Sequence, residues 1–422
     1  MAHRTDVEQS NRVVHYFRDV DLTSGSKPDF IPESFSHNCW AEDRWPGRFL
    51  LRVAIRFHHI WATFGVRNGH ATIQGSQPAV CFSGFSVADL IAVRDGMAAA
   101  TSAVTQYAVT FPASSAERAG ARQVVKGGNL RAILQANHPS EPVSQDELWQ
   151  NEYRYVDGQL DIFGNQTTQL EWRWPYTRNY RRAIEKIERD GHLGDKLPGL
   201  DLTQKKWSQI GVVVATEADA LRLQYDILTL IDQQIVSVDH FDHLLVCERM
   251  PAELDGLTDA GRTAALTAAC FDFKSCLVVS DEAAAFAAAD FTARVSALEA
   301  SSLKKETLER GGCWVYFEDN AHPYVRALLK AGRVVVNKSG RYLGTLDELG
   351  RGRDLGERQQ IVKVLCQQLE REHGVACSYF SVRDSWLPDD LPSYCGHPWS
   401  GFYRITDEPD EPDEEDLEDV VV

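Results

Sequence analysis

NQTTQLEWRWPY, residues 165–176, is the stretch that decides how the first half of the chain is interpreted. It places Gln169 two residues before Glu171 and surrounds the carboxylate with Trp172 and Trp174. A polar amide beside an acid among aromatic rings suits a reaction with a positively charged transition state, because a fixed carboxylate in a water-poor site stabilises an oxocarbenium-like sugar. Gln169 could orient the hydroxyl groups of that sugar. The alternative is a β-strand in which Glu171 is a charged residue that faces water.

The segments around this stretch have the pattern of an α+β domain. Strand-like segments bounded by Gly, Pro, Ser and Asp are VVHYF (13–17), FLLRVAI (49–55), AVCFSGF (79–85), QYAVTF (106–111) and RQVVKGG (122–128). Residues 87–104 carry apolar side chains at helical spacing, and RNYRRAIEKIERDG (178–191) predicts a basic helix that ends at a glycine. A strand–helix–strand unit over residues 211–249 would close the domain. We therefore expect a first domain over residues 1–251.

The second half of the chain differs in composition. Residues 252–310 are rich in alanine and predict a helical connector, and residues 311–405 alternate strand and helix patterns, which predicts a small α/β domain. The tail 406–422 carries ten acidic residues between 407 and 419, cannot bury apolar surface and is expected to be disordered. Without those ten residues the net charge of −17 becomes −7, so the folded part is only mildly acidic and nucleic acid is not excluded as a substrate.

Composition indicates a cytoplasmic protein with no membrane segment. No apolar run approaches the roughly 20 residues that cross a bilayer, and the polar start MAHRTDVEQSNR lacks the apolar stretch of a signal peptide. The nine cysteines are scattered without a CxxC pair, so neither a disulfide framework nor a zinc knuckle is indicated. Ligands for a metal-dependent nuclease are offered by His37, Cys39, His58, His59 and His70. Their spacing fits no zinc pattern, because adjacent histidines in a strand point to opposite faces, and we expect no metal.

The order of the motifs resembles a known superfamily. A strand with a histidine, VVHYFRD, precedes VCFSG, QYAVTF and GARQVV, and QLEWR comes last. Over roughly residues 13–250 this succession resembles bacterial ADP-ribosyltransferase-superfamily toxins of phage-defence and toxin–antitoxin loci, of the DarT-like, AbiGi-like or CmdT-like kinds. The chain departs from their pattern at Ser83-Gly84, where Thr-Glu is usual, and at Gln169, where Glu is common. Residues 312–405 resemble an uncharacterised module attached to such toxins.

The resemblance implies a split β-sheet that binds NAD as a substrate, and it implies roles for individual residues. Glu171 would be the catalytic carboxylate that binds the 2′-hydroxyl of the nicotinamide ribose, and Gln169 would help to select the acceptor. His15 would hold a ribose of NAD, and Tyr107 would stack on the nicotinamide. Either of these two residues could instead serve only in packing. The chain has no GxGxxG or P-loop fingerprint, as expected of a superfamily that binds NAD without one.

Arginines are the expected partners of the NAD pyrophosphate, because a guanidinium matches phosphate oxygens. Arg18 and Arg94 are the first candidates, and Arg52 is a third.

A basic, aromatic stretch follows Glu171 and suggests the acceptor. Its basic residues are Arg173, Arg178, Arg181, Arg182, Lys186 and Arg189. Positive charge with aromatic stacking is the usual means of binding single-stranded nucleic acid, although a solvated helix face has the same composition. We therefore expect a toxin that ADP-ribosylates RNA or single-stranded DNA in anti-phage defence, with an antitoxin and a chaperone as partners. The alternatives are a protein acceptor, NAD hydrolysis, or a non-enzymatic binding component of a defence complex.

Overall fold

The structure of the chain is a computed structural model, which describes residues 12–23, 44–67, 70–97, 103–126, 130–137, 142–156, 171–190, 197–254, 256–304 and 307–396. Gln169 and the acidic tail 406–422 lie outside the described residues, as do His37 and Cys39.

The first domain is built on a seven-stranded mixed sheet. Its strands in chain order are β1 (Arg12–Tyr16), β2 (Ala79–Gly84), β3 (Ala108–Pro112), β4 (Arg122–Gln123), β5 (Trp172–Pro175), β6 (Ile210–Val214) and β7 (Phe241–Val246). Their spatial order is β7-β6-β3-β1-β2-β5-β4, and every neighbouring pair is antiparallel except the parallel pair β6–β7. That pair is the predicted strand–helix–strand unit, since parallel neighbours need a crossover connection. The mixed sheet and its helices confirm the α+β class.

Helices and short ladders complete this part of the chain. The helices are α1 (Gly47–Arg56), α2 (Val87–Arg94), α3 (Ala113–Arg118), α4 (Leu130–Asn137), α5 (Gln145–Asn151), α6 (Tyr180–Asp190), α7 (Glu217–Asp232) and α8 (Asp259–Ala269). The ladders pair Val20–Asp21 with Arg44–Trp45, His59–Trp61 with Gly199–Asp201, Val66–Arg67 with His70–Ala71, and Val125–Lys126 with Tyr155–Val156.

The prediction of a strand at FLLRVAI (49–55) is wrong, because these residues form α1. Phe49 and Val53 pack in one cluster, whereas Leu51 and Ile55 pack in the main core. The short apolar run also fits a buried strand. Arg48, Arg52 and Arg56, however, recur every four residues and so share one face of the helix.

The first sheet is covered on both faces. The face that we call the main-core face carries Val13, Phe82, Val109, Trp172 and Val212, packed with residues of α1, α3 and α7. The opposite face carries Val14, Ala108, Val213 and Leu245, packed with residues of α2 and α8. Because successive strand residues point to opposite faces, this alternation assigns each strand side chain to a face.

The second domain has a five-stranded sheet. Its strands are β8 (Gly311–Phe317), β9 (Val334–Val336), β10 (Tyr342–Gly344), β11 (Cys377–Arg383) and β12 (Tyr394–Cys395). Their spatial order is β9-β10-β8-β11-β12. The predicted alternation of strands and helices is present, but every pair in the sheet is antiparallel. The helices α9 (Asp281–Ser301), α10 (Pro323–Lys330) and α11 (Leu355–His373) pack in its core through Phe291, Val325 and Leu365.

The segment predicted as a helical connector, 252–310, contains two helices that join different cores. Leu266 of α8 packs against the first sheet, whereas Phe291 and Val295 of α9 pack in the second domain.

The C-terminal half of α7 contacts the second domain. The Asp232 carboxylate accepts hydrogen bonds from the Arg326 guanidinium and the Tyr342 hydroxyl. The Tyr225 hydroxyl donates to the Gly340 carbonyl at 3.0 Å. The helix that closes the first sheet therefore also joins it to the second domain.

Candidate functional site

Glu171 lies immediately before β5, and its carboxylate is fixed by a buried arginine. Its Oε1 is 3.0 Å from both Nε and Nη2 of Arg173. The Arg173 side chain is 4% exposed, whereas that of Glu171 is 33% exposed. Arg173 also donates through Nη1 to the Tyr153 carbonyl at 2.6 Å. Charge-assisted contacts thus orient the carboxylate while part of it remains open to solvent.

The register of the sheet places Glu171 and His15 on opposite faces. Trp172 lies opposite Phe82, and continuing the β1–β2 register aligns Phe82 with His15, whose ring centroid is 6.2 Å from that of Phe82. This row points to the main-core face. Glu171 precedes Trp172 by one residue and shares the other face with Arg173. Two strand spacings, about 10 Å, separate β1 from β5. The structure does not bring His15 and Glu171 into one pocket.

His15 is a neutral imidazole within the main-core face. Its Nδ1 is 2.8 Å from the Cys81 carbonyl, and its ring meets that of Phe17 edge to face with centroids 4.9 Å apart. Burial lowers the pKa of His15 to about 4, and the charge of Arg18 acts in the same direction. Because a carbonyl only accepts hydrogen bonds, Nδ1 carries the proton and Nε2 is an acceptor. Such a nitrogen could accept a hydrogen bond from a sugar hydroxyl.

Tyr107 precedes β3 and packs against the main core, on the same face as His15. Its hydroxyl donates to Asp219 at 3.2 Å, and its carbonyl accepts from the Phe17 N–H at 2.8 Å. Burial, followed by the charge of Asp219, raises the pKa of the Tyr107 hydroxyl. Asp219 and Thr216 form the capping box of α7, so Tyr107 connects β3 to the start of that helix. Its predicted stacking on nicotinamide stays a prediction.

The arginines predicted to bind pyrophosphate lie in three different environments. Arg94 donates to the Met250 and Pro251 carbonyls at 2.6 and 3.1 Å and pairs with the adjacent Asp95. Arg52 pairs with the fully buried carboxylate of Asp226 at 2.9 Å. Arg18 is exposed and acts on His15. The contacts of Arg94 and Arg52 are those of structural residues, and their role in binding NAD stays a prediction.

Two further arginines that sequence reasoning did not select lie near Arg173, the partner of Glu171. Arg122 of β4 is the direct partner of Arg173 across the β4–β5 ladder. Arg154 donates through Nε to the Gln123 carbonyl at 3.1 Å. Burial raises the pKa of Tyr153, which is adjacent to Arg154 in the chain. The positive charges of Arg154, Arg122 and Arg173 oppose that rise. No motif marks this cluster, because it joins three separate segments of the chain.

The basic helix predicted after Glu171 is present as α6. Arg181 and Arg182 of α6, and Arg178 just before it, face solvent, and Arg181 pairs with Glu185 at 3.2 Å. The aromatic residues of this stretch point elsewhere. Trp172 is in the main core, Trp174 and Tyr176 pack against it, and Trp174 Nε1 donates to the Ala119 carbonyl at 3.0 Å. The stretch therefore offers positive charge to a ligand, while these aromatic side chains contribute to the core.

Among the described residues, no group of three or more His, Cys, Asp or Glu side chains is arranged to hold a metal ion. His59 Nε2 instead lies 2.6 Å from the Leu197 carbonyl, and His58 Nδ1 lies 3.4 Å from Asp201. No helix in the described part of the chain has the length and apolar character needed to span a bilayer.

Comparison with protein families gives a match in the second domain. A family described as a protein of unknown function (DUF4427) matches residues 279–401. This range begins just before α9 and includes β12, in agreement with the packing of α9 in the second core. No curated protein and no solved structure matches the chain. Residues 279–401 are therefore similar to a family of unknown function, and that similarity assigns no activity.

Proposed function

We propose that the first domain is an NAD-dependent mono-ADP-ribosyltransferase toxin that modifies RNA or single-stranded DNA in anti-phage defence, with Glu171 as its catalytic carboxylate. The observation that carries the proposal is the orientation of Glu171 by the buried guanidinium of Arg173 at a partly exposed position. The resemblance of the motif order to ADP-ribosyltransferase toxins supplies the chemistry.

In the proposed reaction, the bond between the ribose C1′ and the nicotinamide nitrogen breaks, and nicotinamide leaves with the electron pair. The acceptor forms a new bond to C1′ and loses a proton. The sugar carries positive charge in the transition state, so a carboxylate that is already oriented stabilises it without further reorganisation. Among the described residues, Oε1 of Glu171 is held by Arg173, whereas Oε2 accepts no hydrogen bond. We propose that Oε2 faces the ribose.

The proposed roles of His15 and Tyr107 restrict how NAD could bind. Both residues lie on the main-core face, opposite the side chain of Glu171. An NAD molecule that contacted His15 as well as Glu171 would have to reach both faces of the sheet. The roles of His15 and Glu171 should therefore be tested with separate variants.

The same separation favours a second candidate function. If no single pocket unites His15 with Glu171, the first domain could act as a non-enzymatic binding component of a defence complex. In that case the arginines beside Glu171 would recognise an anionic partner, and NAD would not be consumed.

Incubation with NAD labelled in its ADP-ribose part distinguishes these candidates. We expect label to enter total RNA or single-stranded DNA, and we expect Glu171→Gln to abolish that transfer. Label in lysate proteins would support a protein acceptor, and free ADP-ribose without labelled macromolecules would support NAD hydrolysis. Absence of NAD turnover with every acceptor would reject the enzymatic proposal in favour of the binding component.

A further inference from the structure

Three arginines meet at the β4 edge of the first sheet. Arg122 and Arg173 lie directly opposite each other across the β4–β5 ladder. Arg154 reaches the same edge, where its Nε donates to the carbonyl of Gln123, the residue after Arg122. All three act electrostatically on the phenol of Tyr153. We call Arg122, Arg154 and Arg173 the edge arginines.

Positive charge is in excess at this edge. Glu171 pairs with Arg173, whereas the hydrogen bonds of Arg122 in the described structure go to the Glu117 and Ala121 carbonyls. Arg154 likewise bonds to neutral groups, the Gln123 carbonyl and the Asn151 side chain. Three guanidinium groups thus share one paired carboxylate among the described residues.

Such an arrangement is unfavourable for the protein alone. Like charges that lie directly opposite each other across a ladder destabilise a sheet. Burial lowers the pKa of Arg154, and the charge of Arg122 lowers it further. A bound anion would offset the repulsion, and a phosphate matches the planar fork of a guanidinium.

We propose that Arg122 and Arg154, the two edge arginines beside the buried Arg173, bind the phosphates of a nucleoside diphosphate, which places the attached sugar near Glu171. The ligand class follows from the charge and geometry of the edge. Its identity as NAD rests on the proposed function. The proposal moves the pyrophosphate site away from Arg94, whose charge is already paired with the carboxylate of Asp95.

The test measures the binding of inorganic pyrophosphate and of ADP-ribose by calorimetry. Arg122→Gln removes one edge charge, and the double variant Arg122→Gln with Arg154→Gln removes two. Arg383→Gln is the matched control, because Arg383 is 55% exposed and belongs to the second domain. We expect Kd to rise about tenfold for the single variant and about a hundredfold for the double variant, because each substitution removes one charge-assisted contact with a phosphate. Arg383→Gln should change Kd by less than about twofold.

The proposal would be overturned if the double variant bound pyrophosphate and ADP-ribose as tightly as the wild type does. It would also be overturned if the wild-type protein bound neither ligand. The proposal would also be overturned if the double variant weakened the binding of a short single-stranded RNA but not of pyrophosphate or ADP-ribose, because the site would then bind a polymer. If the double variant melts early, Arg122→Lys with Arg154→Lys keeps the charges, and it should retain the fold while binding at least about threefold more weakly.

The outcomes separate this proposal from the enzymatic one. Glu171→Gln should bind pyrophosphate at least as tightly as the wild type, because it removes a negative charge from this edge of the sheet, whether or not the protein turns over NAD. Pyrophosphate binding that needs the edge arginines in a protein without NAD turnover would reject the enzymatic function and keep the site. If the double variant turns over NAD at the wild-type rate, the enzymatic function is kept and the phosphate site at this edge is rejected.

Discussion

Charged side chains have different partners in the two domains. Near Glu171 in the first domain, Arg122 and Arg154 bond to uncharged groups among the described residues, and the Glu171 side chain is 33% exposed. In the second domain, Arg353 is 1% exposed, pairs with Glu299 and donates to the carbonyls of Glu299, Ser302 and Leu303.

A second cluster in the same domain has the same character. Asp290 Oδ2 accepts hydrogen bonds from Arg294, Tyr324 and His373 at 2.9, 2.8 and 3.0 Å. Burial opposes ionisation of Asp290, but these hydrogen bonds lower its pKa to about 2. Its partners come from α9, α10 and α11, so one carboxylate connects three helices.

This difference separates charges that fasten the fold from charges that are available to a ligand. When a buried ion has all its partners within the protein, removing one partner lowers the stability of the protein by several kcal/mol. Such an ion has no hydrogen-bonding group free to bind a ligand. Arg122 and Arg154, which bond to neutral groups among the described residues, contribute little to the fold and can attract an anion. The comparison predicts that substitutions in the second domain affect stability, whereas those beside Glu171 affect chemistry.

The largest effect on stability is expected for Arg353→Met. The substitution leaves three backbone carbonyls without their donor and leaves the Glu299 carboxylate with the exposed Lys304 instead of its buried partner. We therefore expect the free energy of unfolding to fall by about 3–5 kcal/mol. Urea denaturation followed by circular dichroism measures it, with Arg383→Met as the exposed control. A fall of less than about 1 kcal/mol in the free energy of unfolding would contradict the comparison, because Arg353 would then not stabilise the fold.

Glu171→Gln should show the opposite behaviour. The amide can still accept from Arg173, but it carries no charge to stabilise the oxocarbenium, so we expect transfer to fall by 10²-fold or more, as when one preorganised electrostatic group is removed. The rate of label transfer from NAD measures it, and the melting temperature should fall by only a few degrees. Glu185→Gln is the control, because Glu185 is an exposed carboxylate on α6. Transfer within about threefold of the wild type would show that Glu171 is not the catalytic acid.

A smaller, pH-dependent effect is expected at His15. Its pKa is lowered by burial from 6.5 to about 4, so the unfolded chain binds a proton at this histidine that the folded chain does not. The stability should therefore fall as the pH is lowered from about 6.5 to about 4. His15→Asn removes this titration, so the wild type should lose about 1–3 kcal/mol more than the variant across the window. Parallel losses in wild type and variant would show that His15 does not titrate in this way.

The smallest effect on the protein itself is expected from replacing Arg178, Arg181 and Arg182 together with Ala. The three side chains face solvent, so the melting temperature should barely change. If the acceptor is nucleic acid, its binding should weaken evenly across sequences, and the salt dependence should flatten by about two to three units of slope, at roughly 0.7 per phosphate. NAD hydrolysis without acceptor should remain unchanged. If NAD affinity collapses while the salt slope survives, α6 belongs to the cofactor site.

Several elements could be predicted because local patterns act over short distances. The β6–α7–β7 unit follows from an apolar strand, a Thr-led amphipathic run and a second apolar strand, and the structure contains each of them. The basic helix α6 follows from its spacing in the same way, and α9 follows from its high alanine content. The prediction for FLLRVAI is wrong because its nearly continuous apolar run also fits a buried strand, although Arg48, Arg52 and Arg56 recur at the four-residue spacing of a helix.

The sequence alone determined the presence of an α+β first domain, a second strand–helix domain and the local character of Glu171 within a strand-like stretch. Only the tertiary structure decided which of these residues meet. The pairing of β5 with β2 sets His15 and Glu171 on opposite faces, and the pairing of β5 with β4 sets Arg122 opposite Arg173. Register arises from packing and turns between distant segments, and a shift of one residue would reverse every face. For that physical reason the spacing of motifs along the chain could suggest the chemistry of single residues but not their assembly into a site.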